Sequence, residues 1–485
     1  MAVPPPRPPC PDASLTVTPT VTLTIDGEPA AGAGRTPVED PASARIFAHA
    51  PACSHRQLDA AVGAAAVAGV AWAALPLARR REYLLRCGTA LAARAEQVAE
   101  ILTREQGKPL RAAAAETRSA ADWFARTADL ALAAEELADH GARVAVERVP
   151  YGVVAAIAPS NFPVLLAVCK VAPALLAGNT VVLTPSPVTP LATLRMGEIL
   201  RDVLPPGVLN VISGDTAISR ALTEHPAVRL ISFTGSVETG RAIARQAAPR
   251  FVRTVLELGG NDPAIVLGDA DLGRVAGELF DRAMRNSGQF CAAVKRVYVP
   301  ERRRAELVDR LRERAGNTRV GDGMDPATDL GPLVSGRQLE RVAALVADAV
   351  AAGARVVCGG APLDLPGHFY PPTVVTDLPA GTALEEEEQF GPVIPVIGYT
   401  TVDEAVDRAN ATRFALGASV WGPPEKARGI AARLDCGTAW INTHGDLRHD
   451  VPFGGARDSG LGVEYGHWGL LEYTRIRVRH VAVPA

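Results

Sequence analysis

Residues 231–244 read ISFTGSVETGRAIA, and the order of residue types in this stretch decides the fold class. The segment ISFT is predicted to be a strand, Gly235 and Ser236 a tight turn, and the residues from Val237 onward a helix. Strands that alternate with helices form parallel sheets that are covered on both faces. The stretch therefore predicts one unit of an α/β fold.

The same unit repeats along much of the chain. Apolar segments alternate with helical patterns between Glu147 and Arg253, and a second such series begins near Leu258. Because 485 residues are too many for one typical hydrophobic core, we predict two Rossmann-like α/β domains. The predicted strand segments are 153–157, 180–183, 209–212, 230–233, 264–267, 297–299, 356–357 and 393–397.

The flanking regions have other patterns. Residues 54–138 place apolar side chains at helical spacing, with breaks at Pro76 and Gly107, and are predicted to be a cluster of helices. Residues 21–25 alternate at period two and end at Asp26-Gly27, which predicts a hairpin. Segments 139–149 and 475–483 also alternate, so each is predicted to be a strand that could pair with another subunit's sheet.

Composition excludes several classes of partner. The chain is 48% hydrophobic and 21% charged, and a net charge of -3 gives no reason to expect nucleic acid or an anionic membrane as a partner. Its seven cysteines are scattered, without a paired disulfide framework or a metal-binding spacing. We therefore expect a cytoplasmic protein with no metal site.

Two strings carry chemistry. Cys291 ends the segment NSGQFC (286–291), and Glu257 opens the segment ELGGN (257–261). A thiolate can add to a carbonyl carbon, and a nearby carboxylate can activate the water that breaks the resulting thioester. Taken alone, the cysteine has a second interpretation as a small buried thiol. The two strings together favour aldehyde oxidation.

These strings resemble the signature of the NAD(P)-dependent aldehyde dehydrogenase superfamily. The resemblance continues through IDG (25–27), EQGK (105–108), PFGG (452–455) and EYT (472–474), and leaves only the first dozen or so residues uncovered. It implies that Cys291 is the nucleophile and that Glu257 deprotonates the hydrolytic water. It also implies that Asn161, in PSNFP, donates to the oxyanion and that Lys170 is a cofactor-side or relay lysine.

The resemblance implies a domain plan and an oligomer. Residues 15–137 and 150–257 are expected to form the cofactor-binding domain and residues 258–465 the catalytic domain, while the first 14 residues, outside the resemblance, are predicted from their proline content to be a disordered arm. Residues 138–149 and 466–485 supply oligomerisation strands, and a homodimer or homotetramer is expected.

The cofactor site implied by the resemblance centres on the FTGS turn (233–236), which would otherwise be an ordinary strand–helix turn. Glu388 is expected to hold the nicotinamide ribose. In this superfamily a lysine and a glutamate commonly hold the adenosine ribose, and their positions are occupied by Thr184 and Pro187 in this sequence. The expected cofactor is therefore NAD, with NADP as the alternative. The implied contacts are Ala158, Pro159, Ser160, Thr184, Ser186, Phe233, Thr234, Gly235, Ser236, Leu258, Gly259, Glu388 and Phe390.

Arg285 is the residue that bears on the substrate. In the succinate-semialdehyde branch of the superfamily an arginine at this point of the motif holds the carboxylate at the far end of the substrate. That branch has a second substrate arginine, whose position is occupied by Cys169 in this sequence. A guanidinium near the reacting carbon favours an aldehyde that carries a carboxylate or phosphonate. The other implied substrate contacts are Phe162, Phe290, Phe453 and a cationic loop with His444, Arg448 and His449.

Other functions stay open at this point. If Arg285 is a surface residue, the substrate is a neutral aromatic or aliphatic aldehyde. A catalytically silent relative that keeps only the fold is a second alternative, although it would not need Asn161, Glu257, Cys291 and Glu388 together. A variant that transfers the acyl group to CoA is disfavoured because Glu257 is present.

Overall fold

The computed structural model describes residues 20–138 and 142–482, so the predicted arm (1–14) lies outside the described residues. The N-terminal half begins with a hairpin whose turn residues Asp26 and Gly27 both have positive φ, as the sequence predicts. Its elements are β1 (Leu23–Ile25), β2 (Glu28–Ala30), β3 (Gly34–Asp40), β4 (Arg45–Ala52), α1 (His55–Ala74), α2 (Leu77–Ala92), α3 (Ala95–Gln106), α4 (Leu110–Ala128), β5 (Glu135–Ala138), β6 (Ala142–Pro150), β7 (Val153–Ile157), α5 (Pro163–Leu176), β8 (Thr180–Thr184), α6 (Leu191–Arg201), β9 (Leu209–Val211), α7 (Thr216–Glu224), β10 (Val228–Thr234), α8 (Val237–Ala247) and β11 (Arg253–Glu257).

The C-terminal half repeats the strand–helix alternation and ends in a long strand. Its elements are β12 (Asp262–Val266), α9 (Leu272–Met284), β13 (Val294–Pro300), α10 (Glu301–Gly316), α11 (Gly336–Ala351), β14 (Arg355–Cys358), β15 (Thr373–Thr376), α12 (Ala383–Glu386), β16 (Val393–Tyr399), α13 (Val402–Asn410), β17 (Phe414–Ala415), β18 (Gly417–Trp421), α14 (Pro424–Ala431), β19 (Thr438–Ile441), β20 (Ala456–Arg457), β21 (Gly460–Leu461), α15 (Gly466–Glu472) and β22 (Thr474–Ala482).

The predicted α/β architecture is confirmed by two large sheets. The first has the order β2-β1-β9-β8-β7-β10-β11-β21, and its five central strands are parallel. Their carboxyl ends meet at one edge, where Ile157 pairs with Thr184 and Thr234 with Glu257. The first sheet therefore brings predicted cofactor and catalytic residues to one edge, where ligands of open α/β sheets bind.

The second sheet has the order β14-β15-β16-β13-β12-β18-β19 and is parallel except at β14. The chain does not stay within this half up to residue 465, because β21 returns to pair with β11 at the edge of the first sheet. The predicted range of 258–465 for one domain is therefore wrong near its end. The return places the segment after Phe453 beside Glu257.

A third, small sheet has the order β22-β6-β5. β22 pairs along its whole length with β6 of the same chain, so the predicted strand is confirmed. One edge of β22 is therefore already occupied within the chain. Ile476 and Val478 on β22 are 57% and 59% exposed.

Helices rich in alanine pack against the first sheet. Helix α1 is, among the helices described, the one long and apolar enough to cross a membrane by length and composition. Its Leu58, Val62 and Trp72 are nevertheless buried in the core, and Thr180 Oγ1 of β8 donates to Ala65 O at 2.8 Å. This one-sided burial is the pattern of a helix that covers a sheet.

Candidate active site

A tight turn presents Cys291. Asn286 and Ser287 have positive φ angles of 52° and 54°, and Gly288 follows with 74°. A Cβ on Gly288 would lie 2.0 Å from Gly391 O, so only glycine fits there. Successive left-handed residues are costly, and such strain is often found at functional sites. The thiol that follows is half-buried.

The electrostatics around Cys291 favour the neutral thiol. Water reaches the side chain through the cleft, but protein atoms surround it, and this desolvation is the main cause that raises the pKa of the thiol. The carboxylates of Glu388, Glu257 and Asp262 raise it further, and Lys295 opposes them. A thiolate here therefore needs a base to accept its proton.

Glu257 is the last residue of β11 and is almost fully buried. Its Oε1 has no hydrogen-bond partner among the described residues. Desolvation raises its pKa well above the usual value, and Glu464 raises it further while Lys170 lowers it. A buried carboxylate with an unused oxygen can accept a proton near neutral pH.

Lys170 lies behind this carboxylate and not at the surface. Its Nζ contacts Glu464 Oε1 at 2.5 Å and Thr234 Oγ1 at 2.6 Å, and the whole side chain is buried. The lysine thus joins the predicted cofactor turn to Glu464, a residue that no sequence motif had indicated. Its relay role stays a prediction.

Asn161 lies against the turn that carries Cys291. Its Nδ2 donates to Gln289 O at 3.2 Å, and its Oδ1 accepts from Phe162 N at 3.0 Å. An amide nitrogen has two hydrogens, and among the described residues Gln289 O is the one acceptor of this group. The second hydrogen can meet an oxyanion beside Cys291.

The β10–α8 turn has the form of a phosphate-binding turn. Ser236 Oγ accepts from Thr239 N, so Ser236 is the N-cap of α8, and Gly235 N donates to Glu257 O at 3.0 Å. A Cβ on Gly235 would lie 2.4 Å from the Phe233 ring. The first N–H groups of a helix have no intrahelical partner and attract anions. The turn therefore fits a pyrophosphate.

The other predicted cofactor residues surround this turn. Ala158 N donates to Thr184 O at 3.0 Å, and the half-buried Pro159 and Ser160 follow. Thr184 itself has no accessible surface and its Oγ1 has no partner among the described residues. The Thr184 side chain therefore cannot reach a ribose in this structure, whereas Ser186, Pro187 and Val188 are accessible; the cofactor contact of Thr184 stays a prediction.

Glu388 lies across the cleft, with Oε1 3.3 Å from Gly260 N and 3.9 Å from Lys295 Nζ. A Cβ on Gly259 would lie 2.5 Å from Glu388 Oε2, so the glycine admits the carboxylate. Desolvation raises the pKa of Glu388 to about 7, although Lys295 opposes the shift. The Phe390 ring lies 5.1 Å from Lys295 Nζ, and Leu258 packs on α8.

Arg285 lies over two phenyl rings. Its guanidinium carbon is 4.9 Å from the Phe290 ring centre and 5.5 Å from that of Phe162, and these two rings meet edge to face at 5.5 Å. No carboxylate oxygen of the described residues lies within 4 Å of it. The side chain is exposed in a cleft, and the surrounding protein lowers its pKa mainly by desolvation.

An aromatic wall faces this arginine. Phe453 stacks on Tyr465 at 6.0 Å, and Trp123 meets Tyr465 edge to face at 4.8 Å. Tyr465 has φ 68° and ψ 158°, a conformation that is nearly restricted to glycine. Phe453 was predicted to contact substrate, whereas Trp123 and Tyr465 were missed because nothing in their local sequence distinguishes them from core aromatics.

The loop predicted to be cationic is different in the structure. His444 is fully buried, with Nδ1 2.9 Å from Ser419 Oγ and Nε2 3.5 Å from Asp262 Oδ2, so its predicted contact with substrate is wrong. Arg448 is neutralised by Asp450 at 2.6 Å. His449 alone keeps a place near the wall, 6.5 Å from Trp123.

Comparison with known proteins agrees with this geometry. The model of the aldehyde dehydrogenase family matches residues 29–479. The chain is 38% identical to a betaine aldehyde dehydrogenase of Cereibacter sphaeroides (95% of this chain, 96% of that one) and 36% identical to the NADP(+) succinate-semialdehyde dehydrogenase of Escherichia coli K12 (91% and 93%). An NAD+ complex of an aldehyde dehydrogenase from Bacillus cereus has a TM-score of 0.94 at 31% identity (96% and 97%).

The chain therefore belongs to the aldehyde dehydrogenase family. It is an NAD(P)-dependent oxidoreductase that acts on aldehydes.

Proposed function

We propose that the enzyme oxidises a short aldehyde bearing a carboxylate or phosphonate to the corresponding acid. Cys291 Sγ bonds to the aldehyde carbon, and Asn161 Nδ2 donates to the oxygen that becomes negative. Bound NAD(P) would accept the hydride that leaves this carbon, and a thioester to Cys291 would remain. Glu257 then removes a proton from the water that attacks the Cys291 thioester, and the acid and the free thiol result.

The unpaired guanidinium of Arg285 carries the proposal about substrate. Because this charge is exposed to the cleft and has no carboxylate partner among the described residues, a carboxylate or phosphonate of the substrate can pair with it in a bidentate way. The two relatives differ in the charge of the substrate that their names state: betaine aldehyde bears a quaternary ammonium group, and succinate semialdehyde bears a carboxylate. Arg285 covers the faces of Phe162 and Phe290 and repels a cation, which favours an anionic substrate.

Arg285→Leu is expected to lower kcat/KM for acidic aldehydes by about ten- to a hundredfold, because a charge-assisted pair contributes roughly 1.5–3 kcal/mol. Succinate semialdehyde, an uncharged aldehyde of similar length and betaine aldehyde are compared by the absorbance of the reduced cofactor. Arg274→Leu, which changes an exposed arginine on α9, the helix that ends just before Arg285, is the control with the same change of charge. Equal losses for acidic and neutral aldehydes would favour the neutral-aldehyde alternative.

The accessible Pro187 allows a test of cofactor choice. Pro187→Glu is expected to shift the ratio of kcat/KM values toward NAD, because a carboxylate repels the 2′-phosphate of NADP. The wild type is expected to discriminate between NAD and NADP only weakly. If the ratio does not change, the ribose is held elsewhere; Val188→Glu, one exposed position further on, is the control.

We also propose a cytoplasmic homo-oligomer. The six cysteines within the described ranges are free thiols, as a reducing compartment favours. The exposed Ile476 and Val478 on β22 are apolar surface that a second subunit of a dimer or tetramer can cover.

A further inference from the structure

A buried ion pair lies next to the proposed oxyanion site. Lys108 follows α3, Glu116 is on α4, and Lys108 Nζ contacts Glu116 Oε2 at 2.5 Å with both side chains 1% exposed. Burial is the main cause that lowers the pKa of Lys108, and Arg285 lowers it further, whereas Glu116 opposes the shift. Such a pair costs much desolvation and is weak evidence for stability. A role in fixing one arrangement of its neighbours is a better explanation.

The remaining contacts of the pair converge on one short segment, residues 161–165. Lys108 Nζ also donates to Asn161 O at 2.7 Å and lies 4.0 Å from the centre of the Phe162 ring. Glu116 Oε1 accepts from Val164 N at 3.1 Å and from Leu165 N at 3.3 Å. The carboxylate thus caps α5, and the ammonium holds the residues just before it.

This segment is tied to the turn of Cys291. Asn286 Nδ2 donates to Asn161 O at 3.1 Å, and Asn161 Nδ2 donates to Gln289 O at 3.2 Å. Phe162 in turn is one of the two rings under Arg285. A shift of residues 161 and 162 would therefore displace the proposed oxyanion donor and the platform of the substrate arginine together.

We propose that Lys108 and Glu116 are positioning residues, which hold Asn161 in register with Cys291 and Phe162 beneath Arg285. This inference rests on the oxyanion role proposed for Asn161. Neither residue of the pair touches the reacting atoms. Displacing a catalytic group by about 1 Å can cost a hundredfold in rate, so the pair should affect the chemical step more than the affinity for substrate.

The test separates positioning from folding. In Lys108→Met/Glu116→Leu both charges are replaced by apolar groups, so no charge is left buried alone, although Val164 N and Leu165 N lose their acceptor; the urea midpoint is expected to fall by no more than the loss of one helix cap explains. The rate constant of the first burst of reduced cofactor is nevertheless expected to fall about tenfold or more, with KM changed far less. Arg111→Met/Asp329→Leu, which removes an exposed ion pair of α4, is the control and should leave both quantities unchanged.

A double-mutant cycle identifies the path of the effect. In the double variant, Asn161→Ala is expected to lower the burst rate constant by a much smaller factor than it does in the wild type, because the amide is already misplaced. Wild-type burst kinetics in the double variant, or full additivity with Asn161→Ala, would overturn the proposal. If that double variant does not fold, Lys108→Gln/Glu116→Gln gives the same comparison.

The cycle uses whichever aldehyde the wild type oxidises best, so failure of the anionic-substrate proposal does not affect it. If Asn161→Ala alone has no effect on the burst, the proposed oxyanion role fails instead, and positioning through Asn161 fails with it.

Discussion

Cys291→Ala is expected to have no aldehyde dehydrogenase turnover, a fall of about 10⁴-fold or more, and to bind NAD(P) as tightly as the wild type. The reason is that the thiol is proposed to form the covalent bond to substrate, whereas the β10–α8 turn and Glu388 are proposed to hold the cofactor. Turnover is followed by the absorbance of the reduced cofactor, and cofactor affinity by calorimetry.

Another half-buried thiol supplies the control. Cys358 is on β14, at the far edge of the second sheet, and Cys358→Ala is expected to keep wild-type turnover. Appreciable oxidation by Cys291→Ala would overturn the nucleophile assignment. Loss of both turnover and cofactor binding would instead show that the alanine variant disturbs the turn at Asn286 and Ser287.

Glu257→Gln is expected to keep a first burst of reduced cofactor and to lose steady-state turnover by roughly 10²–10⁴-fold, the usual contribution of a general base. The glutamine has the same shape but cannot accept a proton from water, so the thioester on Cys291 should accumulate. Rapid quenching followed by intact mass measurement detects this acyl-enzyme. If burst and steady state fall equally, Glu257 acts before hydride transfer, for example by accepting the Cys291 proton.

The raised pKa of Glu257 predicts the pH dependence of the same step. Desolvation favours the protonated carboxyl, which is inactive as a base, so steady-state turnover should rise with pH until Glu257 is ionised. In Glu257→Gln this rise should be absent. Glu278→Gln, which changes a half-buried glutamate on α9, should retain the wild-type profile.

Much of the fold follows from local sequence patterns. The strand at Val153–Ile157 and the hairpin at Asp26-Gly27 were predicted at or near their observed positions, because period-two and period-3.6 patterns report burial along a single element. Strand β18 was not predicted, and one of its two neighbours in the sheet, β12, comes from a distant part of the chain. Strand order depends on which elements pack together, which no local period encodes.

By itself, the sequence determined the α/β class and the identities of Cys291, Glu257 and Asn161 as candidates, because the motif spacing that carries them is local. Only the tertiary structure decided their surroundings. Lys170 meets Glu464 across 294 positions of sequence, Arg285 is placed on Phe162 of the other half, and His444 is enclosed instead of exposed. The physical reason is that these surroundings form where loops from both sheets meet. Desolvation and neighbouring charges there set the pKa of Glu257, and the same region leaves Arg285 without a carboxylate partner.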